Sequence, residues 1–143
     1  MDSQENTPPP IPGDWVKGIV TRTGPWTVGD LWVDWDAKRY CLKVTDAHCN
    51  AVGGMHGGAM ATFLDGQVFV YQDPQASDSH TPTISLHVDY LAPPVAGDWL
   101  VAEVVLVKTT RTMLFSQAIA SVGDRAMARS HAIYKNNAGK DFR

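Results

Sequence analysis

Residues 48–66 read HCNAVGGMHGGAMATFLDG: two glycine pairs and a histidine precede a helix-length apolar run that carries an aspartate. Counted in helical steps, Asp65 shares a face with Gly58, Ala61, Thr62, Val68 and Phe69, while Met60, Phe63, Leu64 and Tyr71 occupy the rest. Apart from Asp65 and Gln67 the run is apolar all round, which predicts a helix enclosed on most sides. Taking an ionised carboxylate out of water there costs on the order of several kcal/mol unless it is paired or hydrogen-bonded. Asp65 is then either architectural, held by an arginine or by backbone amides, or a working acid whose burial serves chemistry. Gly66 favours the second role, because a glycine inside a helix costs roughly 1 kcal/mol against alanine and marks a close approach by another backbone.

At the other end of the run, MHGG opens the helix. The amides around Gly57 to Ala59 have no intrahelical acceptor and project partial positive charge. Without Cβ atoms, Gly57 and Gly58 would let a substrate carbonyl reach those amides, as an oxyanion hole requires, although a glycine pair alone signals only a tight turn. Gly58 and Asp65 stand seven positions apart, roughly 10 Å along a helix axis. No single carbonyl touches both. If both act on one reacting carbon they come from two chains, most simply a twofold dimer with antiparallel helices.

The rest of the chain supplies the frame. Over residues 28–44, VGDLWVDW and RYCLKV flank a turn at Asp36 and Ala37, which predicts a hairpin. TDAHCNAVGGMHGG is a turn-rich loop feeding one helix, AMATFLDGQVFVYQ. After the polar stretch DPQASDSH, TPTISLHVDYL alternates: Ile84, Leu86, Val88 and Tyr90 face one way, Ser85, His87 and Asp89 the other. PPVAGD turns the chain, and β runs over residues 99–108, 112–120 and 125–134 should be antiparallel neighbours. Ala118, Ala120, Ala126, Ala128, Ser130 and Ala132 would line one sheet face with small side chains, leaving room for a helix. One helix among five or six strands is an α+β layout in which the sheet wraps the helix. Residues 1–14 read as a flexible proline-rich arm, 15–136 as the folded domain and 137–143 as a tail.

Composition bounds the function. At 143 residues, 44% hydrophobic and 19% charged, the chain fits one domain that buries a core without staples. A formal charge of -3 argues against nucleic acid as a partner. No apolar run approaches the roughly 20 residues that cross a bilayer, and the first residues lack a signal-peptide pattern, so a cytoplasmic protein without a membrane partner is expected. Cys41 and Cys49 are too few for a disulfide framework; Cys41 reads as a small strand residue, and Cys49 has no cationic neighbour that would make a thiolate of it. His48 and His87 read as loop and strand-surface residues. His48, Cys49 and His56 match no compact zinc spacing, so no metal is expected.

Asn50, His56, Gly57, Gly58 and Asp65 fall in the pattern N-x5-H-G-G-x6-D. Together with TISLHVDYLAPPVAGD and VKTTRTMLFSQAIA, this pattern resembles the hotdog-fold acyl-CoA thioesterases of the phenylacetyl-CoA (PaaI) type. The resemblance implies a sheet wrapped round one helix, homodimers often assembled as homotetramers, and hydrolysis of a CoA thioester with no metal or other cofactor. It also implies roles: Asp65 as general base or nucleophile, Asn50 holding thioester or water, the Gly57 amide polarising the carbonyl, and His56 orienting that loop. Thr83 takes the place of a hydroxyl residue that positions water, a serine in some members. Gly58 joins the substrate-binding residues, as do Lys108, Arg111 and Thr112 of KTTRT, where the family commonly holds the nucleotide; on charge alone that segment reads equally well as a solvated turn.

Two other functions suit parts of the pattern. A hotdog hydratase or dehydratase would use a histidine and an acid on the acyl chain, which His56 and Asp65 could supply, although the glycine pair after His56 fits the thioesterase better. A non-catalytic acyl-CoA binding module would keep the pocket without the full set of Asn50, glycines and Asp65.

Overall fold

Alternating apolar and polar residues in the C-terminal half fold as long strands, and they set the frame of the computed structural model, which describes residues 7–18, 20–21, 24–25, 28–72 and 81–136. The elements are β1 (Val16–Lys17), β2 (Val20–Thr21), β3 (Gly24–Pro25), β4 (Trp32–Asp34), β5 (Arg39–Lys43), helix α1 (Gly57–Leu64), β6 (Thr83–Tyr90), β7 (Trp99–Thr109), β8 (Met113–Val122) and β9 (Arg125–Lys135). Short 3-10 turns cover Asp46–His48 and Gln67–Tyr71. Seven strands form one antiparallel sheet in the order β1-β4-β5-β7-β8-β9-β6, and β2 and β3 make a separate ribbon. The sheet thus exceeds the expected five or six strands. The extra strand is β1, two residues paired to β4, too short to carry a period-2 signature.

The sheet's inner face buries Leu100, Ala102, Val104, Ala118, Ala120 and Ala128 in one cluster with Met60, Phe63 and Leu64 of α1. The small-residue stripe therefore lets the helix lie close. One member is misassigned by alternation: Ala126 is exposed, and Met127 is buried. The pairing slips from Ala120↔Ala128 to Ser121↔Ala126, so Met127 is an extra residue: Ala128, Ser130 and Ala132 after it keep the inward face, and Ala126 before it is turned out. The carbonyl of Met127 accepts the amides of Leu91 and Ala92 at 2.9 and 3.1 Å, which anchors the end of β6.

The helix ends earlier than its apolar run. α1 stops at Leu64, Asp65 is its C-cap, and Gly66 starts the 3-10 turn rather than sitting inside a continuous helix. Hydroxyls from the sheet hold this break: Tyr40 donates to the Phe63 carbonyl at 2.6 Å and Tyr134 to the Asp65 carbonyl at 2.9 Å. The last carbonyls of an α-helix lack i+4 partners; the Phe63 carbonyl also accepts the Gly66 amide at 3.2 Å, and the tyrosine hydroxyls add side-chain donors. Enclosure of the helix within one chain is also one-sided, since Met60, Phe63 and Leu64 are buried whereas Gly58 is exposed and Ala61 and Thr62 are half-buried.

Gln67, fully buried, is satisfied from the sheet. Its Nε2 donates to Ser130 Oγ at 3.0 Å, Ser116 Oγ donates to its Oε1 at 2.8 Å, and Ser130 in turn donates to the His87 carbonyl at 2.7 Å. The β4–β5 hairpin closes over buried Asp34, whose Oδ2 accepts Nε and Nη2 of Arg39, both at 3.1 Å. Arg39 also donates to the Pro12 carbonyl and lies 4.5 Å from the centre of the Trp15 ring, so the proline-rich segment contacts the hairpin. Residues 1–6 of the arm, the tail at 137–143 and all of DPQASDSH lie outside the described residues.

Candidate active site

Asp65 leaves the end of α1 half-buried and meets the first residue of the edge strand: Thr83 Oγ1 donates to its Oδ1 at 2.7 Å. Burial pushes its pKa above the ordinary aspartate value, and the hydroxyls of Thr83 and Tyr134 offset part of that rise. No arginine partner of Asp65 stands among the described residues. The carboxylate is therefore held by a neutral hydroxyl in a partly dry setting, which raises its basicity rather than quenching it. Removing that hydroxyl has a readable effect. In Thr83→Val the ionised form loses a hydrogen bond, so the Asp65 pKa should rise further, whereas Thr83→Ser should leave it near the native value; carboxyl-carbon NMR titration measures both.

The loop before α1 is built from local bonds. Asn50 Oδ1 accepts the amides of Val52 and Gly54 at 3.0 and 3.3 Å, closing a turn in which Gly53 takes φ +91°. Its Nδ2 group has no acceptor among the described residues and stands exposed. The loop is tied down by the His48 ring rather than the His56 ring: His48 Nδ1 accepts the Thr45 amide at 3.0 Å, so Nε2 carries the proton and donates to the Val28 carbonyl at 2.7 Å. His56 takes part through its backbone, its amide donating to the His48 carbonyl at 2.8 Å and its carbonyl accepting from Met60 at 3.0 Å. Its exposed imidazole makes no capping bond. The amides of Gly57, Gly58 and Ala59 accordingly open the helix without an acceptor among the described residues.

The two glycines differ. A Cβ on Gly57 would stand 3.4 Å from the ring of Tyr90, whereas a Cβ on Gly58 would meet nothing within 4 Å. Open space therefore lies in front of Gly58. Within one chain the acid and these amides sit at opposite ends of α1, as the roughly 10 Å helical spacing requires.

Lys108, Arg111 and Thr112 are exposed at the β7–β8 hairpin. Its turn is closed by Thr110, whose Oγ1 accepts the amides of Thr112 and Met113, and by Asn136 Nδ2 donating to the Thr110 carbonyl at 3.1 Å. Pairing places Thr109, Leu114, Tyr134 and Thr83 in one row across the sheet, so this hairpin belongs to the Asp65 end. Three strand spacings separate Thr109 from Thr83, roughly 14 Å. Cys41 is buried with its thiol pushed up to about 12, and the Cys49 thiol donates to the Thr45 carbonyl at 3.4 Å. A cavity of about 480 Å³ lies on the outer sheet face among His87, Asp89, Glu103, Gln117, Arg129 and His131. That face is turned away from α1.

Sequence reasoning missed three side chains that shape the site: His48, Tyr90 and Tyr134. For Tyr134 a signal existed, since a tyrosine at an inward strand position must find a partner for its hydroxyl. The other two depend on which carbonyl the fold brings near.

One α-helix among the described residues, packed on a seven-stranded antiparallel sheet, defines a hotdog fold. The model of the thioesterase superfamily matches residues 52–128, more than half of the chain, and the chain belongs to that family. It is a thioester hydrolase of the PaaI type. A phenylacetic acid degradation-related protein of Ralstonia eutropha JMP134 is 26% identical, with a TM-score of 0.59, over 72% of this chain and 80% of its own. A "hypothetical thioesterase protein" from Streptococcus pneumoniae TIGR4, solved with coenzyme A, shares the fold at 18% identity and a TM-score of 0.59, over 69% of this chain and 77% of its own. "Putative esterase PA0474" of Pseudomonas aeruginosa is 27% identical over 115 residues, 75% of this chain and 83% of its own.

Proposed function

We propose that the protein is a cytoplasmic acyl-CoA thioesterase whose reaction centre is shared between two subunits. The observation that carries the shared site is the placement of β6. This strand ends the sheet, its outer edge pairs with nothing among the described residues, and it touches both ends of the machinery: Thr83 at its start bonds Asp65, and Tyr90 at its end bonds the Gly57 carbonyl. Two such edges paired antiparallel about a twofold axis would set the Thr83 end of one chain beside the Tyr90 end of the other. Asp65 of one subunit would then face the amides of Gly57 and Gly58 in its partner. The half-open helix face at Gly58, Ala61 and Thr62 would be covered by the same contact.

In this reading the acyl carbonyl sits on the first amides of α1, with Asn50 Nδ2 alongside and His56 holding the loop through its backbone bonds. Asp65, oriented by Thr83, takes a proton from water as it attacks the carbonyl carbon. The tetrahedral oxyanion then collapses, the C–S bond breaks, and the CoA thiolate takes the proton that Asp65 removed from water and leaves as the thiol, restoring the carboxylate. The same carboxylate could attack directly to form an anhydride. Its raised pKa supports the base, since a better proton acceptor is what water activation needs, while the Thr83 hydroxyl orients it. The CoA bound by the Streptococcus relative supports CoA as the leaving group, with Lys108, Arg111 and Thr112 near its phosphates. Pairs of dimers as tetramers complete the proposed assembly.

A panel of acyl-CoAs monitored by free thiol tests the reading, and hydration of an enoyl-CoA without thiol release would replace it with the hydratase. Arg111→Ala should raise KM several-fold for CoA thioesters and leave short thioesters lacking the nucleotide unchanged. Equal effects on both would remove Arg111 from the nucleotide site.

A further inference from the structure

Asp65 is gripped from two adjacent strands. Thr83 of β6 and Tyr134 of β9 stand opposite each other in the antiparallel register. Thr83 Oγ1 donates to the Asp65 carboxylate at 2.7 Å, and the Tyr134 hydroxyl donates to the backbone carbonyl of the same residue at 2.9 Å. Tyr134 has little freedom, since its side chain is buried among Val68, Leu114 and Ala132.

The phenol supplies a bond that the helix does not make. In a continued α-helix the Asp65 carbonyl would accept the amide of Phe69, four residues on. That amide donates instead to the Gly66 carbonyl at 3.0 Å, so the Asp65 oxygen is left to a side chain. On its other side, the Asp65 amide is bound to the Ala61 carbonyl at 2.9 Å. With both flanking peptide planes held, the backbone of Asp65 is set at φ -73° and ψ -2°, and the direction in which its Cβ leaves the chain is set with it.

We propose that Tyr134 is a positioning residue for the base of the reaction, fixing through the Asp65 carbonyl where the carboxylate stands beside Thr83; the inference rests on the thioesterase reading of the site. Freed from Tyr134, the peptide after Asp65 could turn toward water or the Phe69 amide and carry the carboxylate out of line with the attacking water, a displacement to which rate is sensitive. Tyr134 acts through Asp65 and need not touch substrate. An electrostatic signature accompanies the geometry, because the same hydroxyl, after that of Thr83, lowers the pKa that burial raises. The titratable groups facing Asp65 are Tyr134 and, from β5, Tyr40. Burial pushes both phenols above the ordinary tyrosine value, so neither ionises where the acid titrates.

Tyr134→Phe keeps the ring in its cluster and removes one hydroxyl. With the acyl-CoA that the wild type hydrolyses fastest, kcat should fall about tenfold, the scale of one hydrogen bond. KM should stay within about twofold, and the acid limb of kcat/KM should move to higher pH, because the ionised carboxyl loses a nearby donor. Wild-type kcat, or an acid limb that stays in place, overturns the proposal whatever the melting temperature does, since a purely structural contact would change stability alone. If the variant does not fold, 3-fluorotyrosine placed at position 134 alone keeps the shape and makes the hydroxyl a stronger donor. The acid limb should then move to lower pH, and an unmoved limb sinks the idea. Asp65→Asn, run beside these, separates the two failures: if that variant keeps full turnover the thioesterase reading itself falls, whereas its inactivity beside a fully active Tyr134→Phe removes only the role of Tyr134.

Discussion

Asp65→Asn is expected to lower kcat for thioester hydrolysis by roughly 10²–10⁴, the range that a positioned general base contributes. The amide preserves the shape of the carboxylate, and its Oδ1 still accepts from Thr83, so the loop and the edge strand keep their places. Stability should change in the opposite sense. Burial raises the folded-state pKa of Asp65, so the stability attached to this acid is present in full below the pKa of an unfolded aspartate and is lost as pH rises through the raised folded value. At neutral pH the ionised side chain is thus a cost of folding, which a neutral amide does not carry. The variant should melt at or above the wild-type temperature at pH 7, and that advantage should shrink toward pH 4, where the wild-type carboxyl protonates. Thiol release together with thermal unfolding at both pH values measures this. Turnover equal to the wild type would reject Asp65 as the working acid, and a melting temperature well below it would make the activity loss uninformative about chemistry.

The strand half of the fold is legible because long antiparallel strands with one buried face alternate in hydrophobicity, and β6 to β9 do so over eight or more residues. What was not legible has a common cause. The end of α1 is set by the hydroxyls of Tyr40 and Tyr134, 23 and 69 residues away from the carbonyls they hold, so no local pattern announces it. The bulge at Met127 shifts alternation by one without any glycine or proline to mark it. At the site, the suspicion of Asp65 rested on an acid in an apolar run, a local signal, whereas its partner Thr83 came only through family resemblance, because 18 residues of chain separate the two. From its surroundings in the sequence, His48 reads as a loop residue. Its ring ties the loop to Val28, 20 residues back, a relation that spacing alone does not express.

Gly58→Ala is expected to make the protein more stable and much less active. Gly58 lies in the first turn of α1 and is not among the glycines with positive φ, so alanine adopts its backbone without strain. The added Cβ meets nothing within 4 Å. Alanine is the better helix former by up to about 1 kcal/mol and also reduces the freedom of the unfolded chain, so a rise in melting temperature of about 1–3 °C should follow. Because Cα–Cβ bonds of a helix tilt toward its N-terminus, the same methyl group is expected to crowd the approach to the first amides. A thioester oxygen must come within about 2.7–3.1 Å of those N–H groups for them to stabilise the oxyanion, and displacing it forfeits a bond whose loss typically costs 10²-fold or more in kcat. Gly58 is a cleaner probe than Gly57, where the new methyl would touch Tyr90 and mix two effects. Changes of opposite sign in stability and turnover cannot come from misfolding, which lowers both. If Gly58→Ala instead gains stability and keeps wild-type kcat, the start of α1 does not receive the carbonyl, and the oxyanion must be held elsewhere even if Asp65 remains the base.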